Sequence, residues 1–399
     1  MRTRLARMLP IALLIVGTCA AQSHPSLTLP TPPDGGVNRG QPFDRKVPDP
    51  SVYGGSVYFV WGAEKPTGTP PILNAKYLPY SRDNDRKTHT FEWFKANHPD
   101  WIVYTADKKT PAWGFTYPNG NNMALDITNP AVRQFYWDTF IAPALAAGYK
   151  AMAFDNVDLG NWDKRSGHFD AQGNWVKQFS GDKIDSAYVR SVLEWMEYLT
   201  ARLHAQGITV AANITFPIKH PELEPAMHIL VETVDIWCDE QGFTDHSDSL
   251  FTDAVWQQKF DFLRSLPAGK FHWAVNEMSA RHLADASPDQ IDWAVANYYL
   301  YRGRNDLLTV CGEQEYGVFL DTPAMHVDLG HPLAPPVHDA GGAWTRAYSK
   351  GLVAVNPSSK IEVALQLQPG VWLDSHNQEH SGKIHIRPNS ALLLMPKHS

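Results

Sequence analysis

Between about Val57 and about Cys311, short apolar runs alternate with helix-length amphipathic stretches. That alternation is the signature of a parallel sheet wrapped by helices, because each parallel pair of strands needs a long crossover. Eight runs qualify as strands: Val57–Trp61, Trp101–Thr105, Met123–Ile127, Ala151–Asp155, Ile208–Ile214, Val234–Asp239, Phe271–Asn276 and Leu307–Cys311. Eight is the number that closes a (β/α)8 TIM barrel. The helices between them carry start and stop signals. Val189, Val192, Leu193, Met196, Leu199 and Leu203 keep to one face before Gly207. Asn129-Pro130 and Ser287-Pro288 open two more helices, with proline in the first turn.

The flanks differ in character. Arg2, Arg4 and Arg7 precede the apolar run Pro10–Gly17 and the small residues Thr18-Cys19-Ala20-Ala21, so residues 1–21 are expected to be an export signal. Export to the periplasm or the medium follows, with a membrane anchor only if Cys19 is lipidated. Residues 22–50 are rich in Pro, Gly, Ser and Asp and read as a linker. The barrel is expected over 51–340. After it, short strands separated by Asn, Pro, Gly and Ser predict a small all-β, sandwich-like domain over 341–399.

Composition enters where it excludes functions. A formal net charge of −7 and the absence of a basic run argue against nucleic acid as a partner. Of 3 cysteines, only Cys238 and Cys311 lie beyond the signal, so no disulfide scaffold is expected, and two buried thiols are. The 14 Trp and 15 Tyr suit a protein that handles carbohydrate, since aromatic faces stack on sugar rings. A monomer is expected, and no cofactor or metal is implied.

Working residues of such a barrel lie at the C-terminal ends of its strands. Those ends supply Trp61, Asp126, Asp155-Asn156 with Asp158 beyond, Asn213, Asp239-Glu240 and Asn276-Glu277. Glycoside hydrolysis needs two carboxyl groups flanking one bond. Asp155 ends a continuous apolar strand, where a charge is costly unless paired or functional. Glu240 is the expected acid/base because it stands at the strand's end, and Asp239 is the reserve. Trp61, Asp126, Asn156, Asp158, Asn213, Asp239, Asn276 and Glu277 are expected substrate contacts. Trp113, Tyr117 and Trp162 are candidate sugar platforms at the rim.

The run Gly148-Tyr149-Lys150-Ala151-Met152-Ala153-Phe154-Asp155-Asn156-Val157-Asp158 resembles the fourth-strand motif of the endo-α-1,4-polygalactosaminidase family. Phe154 stands where that pattern more usually has Leu. Leu125–Pro130, Asp239–Phe243 and Arg346–Pro357 are similar to segments of bacterial barrel-type hypothetical glycosyl hydrolases. The resemblance implies a retaining mechanism on an exopolysaccharide, with Asp155 as nucleophile or stabiliser and Glu240 as acid/base. Two rival readings compete with it. One is a catalytically inactive polysaccharide-binding barrel or scaffold of an export system. The other is a metal-dependent deacetylase built on His326 and His331, whose spacing across Gly330 opposes the helix such a site wants.

Overall fold

The computed structural model describes residues 36–44, 57–67, 72–118, 120–244 and 251–397. The expected signal over 1–21, with Cys19, lies outside the described residues, as does most of the expected linker. Eight parallel strands close a barrel in sequence order: β1 (Arg39–Pro42), β2 (Val57–Trp61), β3 (Leu73–Pro79), β4 (Ala151–Asp155), β5 (Thr209–Asn213), β6 (Ile236–Asp239), β7 (Phe271–Met278) and β8 (Leu307–Gly312). β1 pairs with β2 on one side and β8 on the other, so no edge is left open. The expected (β/α)8 barrel is therefore the observed fold.

Two of its strands are not the expected ones. Trp101–Thr105 and Met123–Ile127 lie in a long excursion between β3 and β4. There Ile102 bridges Leu125 antiparallel, and Gly120–Ala124 pairs with Trp113–Tyr117 and with Arg82-Asp83. Their apolar residues are real core, because Ile102, Met123 and Leu125 are buried against the barrel's outer layer. Their place in the barrel is taken by β3 and by β1, which the linker reading had covered. β1 reads as polar, yet all four of its residues are buried. Its polar groups are met by partners near and far: the Arg39 guanidinium donates to the distant Leu320 O and pairs with Asp321, and Gln41 Nε2 donates to the nearby Phe43 O. Gly40 is needed there because a Cβ would come 2.3 Å from the Trp273 ring.

The barrel interior follows the period of two. Tyr58, Phe59, Trp61, Phe271 and Trp273 are the large residues, and Ala75, Ala151, Ala153 and Ala211 leave the room they fill. The alternate set packs outward against helices α1 (Pro130–Tyr136), α2 (Ser186–His204), α3 (Glu224–Thr233), α4 (Asp253–Ser265) and α5 (Pro288–Tyr301). Asn129 caps α1 by accepting from Ala131 N, as the Asn-Pro signal predicts. α2 buries Val192, Trp195, Met196, Leu199 and Leu203, and truncating one such leucine to Ala costs about 2–5 kcal/mol. Cys238 and Cys311 are buried free thiols.

The C-terminal part is all-β. A six-stranded antiparallel sheet has Trp344–Tyr348, Gly351–Asn356 and Ser390–Pro396 at its centre. It packs on α5, and Tyr348, Val353 and Leu393 join the barrel's own outer core. Polar ties reinforce the junction. The buried Asp292 carboxylate on α5 receives Ser375 Oγ at 2.8 Å and faces His376 Nε2 at 2.7 Å.

Candidate active site

The alternation that fills the barrel also decides which strand-end side chains face its mouth. On β4, Ala151 and Ala153 point inward while Met152 and Phe154 point outward, so Asp155 points inward. The same parity brings in Tyr77 from β3, Asn213 from β5 and Glu240 just past β6. The four side chains form one hydrogen-bonded group. Tyr77 Oη donates to Asp155 Oδ2 at 2.7 Å, and Asn156 Nδ2 donates to the same oxygen at 2.6 Å. Asn213 Nδ2 donates to Asp155 Oδ1 at 3.0 Å and to Glu240 Oε2 at 2.6 Å. Tyr316 Oη, from the turn after β8, donates to Glu240 Oε1 at 2.7 Å.

One amide nitrogen thus holds both carboxylates. The two oxygens it binds are therefore at most about 5.6 Å apart, the two bonds laid end to end. Burial raises the Asp155 carboxyl above its ordinary range, and the charge of Glu240 adds to this. The Tyr77 and Asn213 bonds pull it back. Burial also raises Tyr77 and Tyr316, helped by the neighbouring carboxylates, so both phenols stay protonated donors. Asp158 is a third carboxyl nearby. Burial raises it too, against a Thr215 hydrogen bond and the Arg82 charge. Asn156 sits at φ 58°, a left-handed conformation that Asn tolerates, and this turns the chain so that its amide reaches back to Asp155.

Several expected contacts are elsewhere. Asp239 has the opposite parity to Glu240. It is fully buried behind the barrel wall, 2.7 Å from Lys259 Nζ of α4 and 3.1 Å from His272 Nε2. Burial alone would raise its carboxyl, but Lys259 and His272 outweigh that and hold it below its ordinary range. Asn276 also faces outward, where its Oδ1 accepts from Phe243 N at 2.8 Å and so fixes the loop after Glu240. Alternation sends Glu277 to the mouth side, with Trp273 and Val275. Trp61 is 3% exposed and packs against Phe59 and Trp273, too deep for an open sugar platform. Asp126 ends no barrel strand. It is buried and accepts from Thr128 Oγ1 at 2.6 Å and Gln178 Nε2 at 2.7 Å, which braces the excursion.

Tyr77, Tyr316 and Phe43 are the residues the sequence reading missed. The Phe43 ring lies 5.9 Å from Tyr77 and 6.1 Å from Tyr316, wedged between the two phenols. Gly62 admits it, because a Cβ there would meet the Phe43 ring at 2.6 Å. The alternation Leu73-Asn74-Ala75-Lys76-Tyr77 was a usable signal for Tyr77. Tyr316 lies in a turn, where no periodicity points. Among the described residues no group of three or more His, Cys, Asp or Glu is arranged to hold a metal ion. His326 contacts the exposed Asp321 at 2.5 Å on the surface.

No curated protein matches the sequence. Among solved structures, a noncanonic maltogenic alpha-amylase from Thermotoga neapolitana is similar at 11% identity and a TM-score of 0.48, over 91% of this chain and 99% of that one. An alpha-amylase from Anoxybacillus gives 11% and 0.48 over 91% and 98%. A GH36 alpha-galactosidase from Geobacillus stearothermophilus gives 12% and 0.39 over 82% and 45%. The model of the family described as Hypothetical glycosyl hydrolase family 15 matches residues 74–352, well over half of the sequence, and the chain belongs to that family.

Proposed function

We propose that this glycosidase cleaves a polysaccharide with retention of configuration, using Asp155 as nucleophile and Glu240 as acid/base. The single observation that supports the reading is the shared Asn213 nitrogen, which limits the two carboxylate oxygens it binds to about 5.6 Å apart, a ceiling that admits the roughly 5–5.5 Å separation of retaining enzymes. Two carboxyls this close hold one proton between them more readily than none. Asp155 accepts three donated bonds and Glu240 two, so Asp155 is the better-supported anion and takes the nucleophile's role, which leaves the acid/base role to Glu240.

The steps follow. Asp155 attacks the anomeric carbon while Glu240 gives its proton to the leaving oxygen. Glu240, now a carboxylate, takes a proton from water, and that water displaces Asp155 from the sugar. Asn213 touches both groups and keeps them in register through both steps. In this reading the enzyme acts as a monomer outside the cytoplasm, where the expected export signal would deliver it.

The test is a polysaccharide panel run with wild type, Asp155→Asn and Glu240→Gln, with the first-formed anomer read by NMR. Retention is expected, with turnover lost by orders of magnitude in Asp155→Asn. An inverted product would overturn the retaining mechanism. Undiminished turnover in Asp155→Asn would overturn the assignment of the nucleophile. Polysaccharide binding without turnover in the wild type would favour a binding barrel.

A further inference from the structure

We propose that Phe115 and Tyr117, on the hairpin that pairs with Arg82-Asp83 just beyond β3, form a stacking subsite for a sugar ring of the same glycan chain that reaches Asp155. This rests on the glycosidase reading and adds the chemistry of a second contact. Phe115 is 40% and Tyr117 44% exposed, and their ring centroids are 6.2 Å apart. They alternate along Trp113–Tyr117, so both rise from one face of the hairpin.

Each ring has an arginine on it. Arg82 Cζ lies 4.5 Å from the Phe115 centroid and Arg86 Cζ 4.3 Å from that of Tyr117. A guanidinium stacked in this way fixes ring orientation and covers part of its surface, and much of the rest stays open. The position relative to the reaction centre comes from the same arginine. Arg82 Nη2 is 3.6 Å from Asp163, and its charge is felt by Asp158 and Tyr77. Tyr77 also feels the Tyr117 hydroxyl, while its own hydroxyl is bonded to Asp155. Pairing places the hairpin on the β3 side: Pro79 at the end of β3 lies opposite Asp155, and Arg82-Asp83 just beyond it pairs with Gly120–Ala124, the partner strand of Trp113–Tyr117. Oriented, half-open aromatic faces beside a carboxylate pair fit the apolar C–H face of a pyranose, and poorly fit a protein partner, which would need a far larger patch.

Glycan affinity is best measured without turnover. The Asp155→Asn protein is run in native gels cast with soluble starch, xylan, pectin or glycol chitin, and retardation gives Kd. Adding Tyr117→Ala or Phe115→Ala to that background should raise Kd about tenfold for the retarding glycan. Tyr117→Phe should stay within about twofold, since it keeps the ring. Ile361→Ala, at an exposed residue of the C-terminal part, serves as the control and should change nothing. Unchanged retardation in both alanine variants, or no retardation in any gel, would overturn the subsite. Loss in Tyr117→Phe equal to that in Tyr117→Ala would also overturn stacking. Failure of the catalytic reading shows separately, as turnover persisting in Asp155→Asn.

Discussion

Tyr77→Phe removes one hydroxyl and keeps the ring that packs on Phe43, so it perturbs the charge of Asp155 with little else. The lost bond is 2.7 Å long and donated to a carboxylate. Hydrogen bonds to charged groups contribute about 1.5–3 kcal/mol net, and one pKa unit is about 1.4 kcal/mol, so the shift lies between about one and two units. Asp155 is only partly buried by its accessible surface, and water can replace part of the donor, which favours the lower end. The sign is fixed by chemistry. The phenol stabilises the anion, so its removal raises the carboxyl further above its ordinary range, the direction in which burial already pushes it. A nucleophile must be ionised, and the acid limb of kcat/KM against pH should therefore move up by about one unit. On the neutral plateau kcat should fall by no more than about tenfold, since Asn156 and Asn213 still orient the carboxylate. The assay is the pH profile on the polysaccharide that the panel identifies, with near-ultraviolet circular dichroism as the check on folding. An acid limb unmoved within about 0.3 units in a folded variant would refute the reasoning, because Asp155 ionisation would then not govern the rate.

Three further perturbations probe the same frame. Asn213→Ala removes the donor common to both carboxylates and should lower kcat/KM by about 100-fold; a loss under threefold, by steady-state kinetics, would mean the bridge does not organise the pair. Tyr316→Phe should lower kcat by about tenfold with the urea midpoint unchanged, since it takes one donor from Glu240 and no core volume. Lys259→Met leaves Asp239 buried with the His272 ring as its remaining side-chain partner and should cost about 3–5 kcal/mol in urea unfolding at pH 7. Asp239 sits below its ordinary range in the fold, so its contribution is present above the unfolded value near 4 and lost as pH falls through the folded one; the gap between wild type and variant should therefore narrow in acid.

The barrel was legible where burial is one-sided chemistry. β4, β7 and β8 are apolar runs whose neighbours are sheet and helix, and their residues say so. β1 was illegible for a physical reason. Arg-Gly-Gln-Pro looks like a linker until Leu320, Asp321 and Phe43 supply the partners that let it be buried, and those partners are up to 282 residues away. Met123–Ile127 misled in the opposite way, since an apolar run records burial and not which sheet it joins. The site was half legible. Asp155 and Glu240 follow from strand ends, and the structure brings them together. Tyr77 was hidden by the missed strand and Tyr316 by its turn, so the two phenol donors were invisible where the carboxylates and their amide donors Asn156 and Asn213 were not.

The pairs at the strand ends show why position alone was insufficient. Asp239 and Glu240 are adjacent, chemically alike and equally near the C-terminal edge, yet one is sealed against Lys259 and the other bonded to Asn213. Asn276 and Glu277 divide in the same way, Asn276 outward to Phe243 N. In each pair the second residue takes the mouth side, because Cys238 before the first pair and Val275 before the second already point inward. The outward members are not idle. Lys259 binds Asp239 and also donates to Gly242 O, and Asn276 holds Phe243 N, so the residues on both sides of Glu240 are tied to the barrel's outer layer. A Cβ at Gly242 would strike Asn276 at 2.4 Å, which is why glycine is required at that turn. The acid facing the mouth owes its placement to the acid and amide facing away from it, and under the proposed roles a change at Asp239 or Asn276 should reach the chemistry through Glu240.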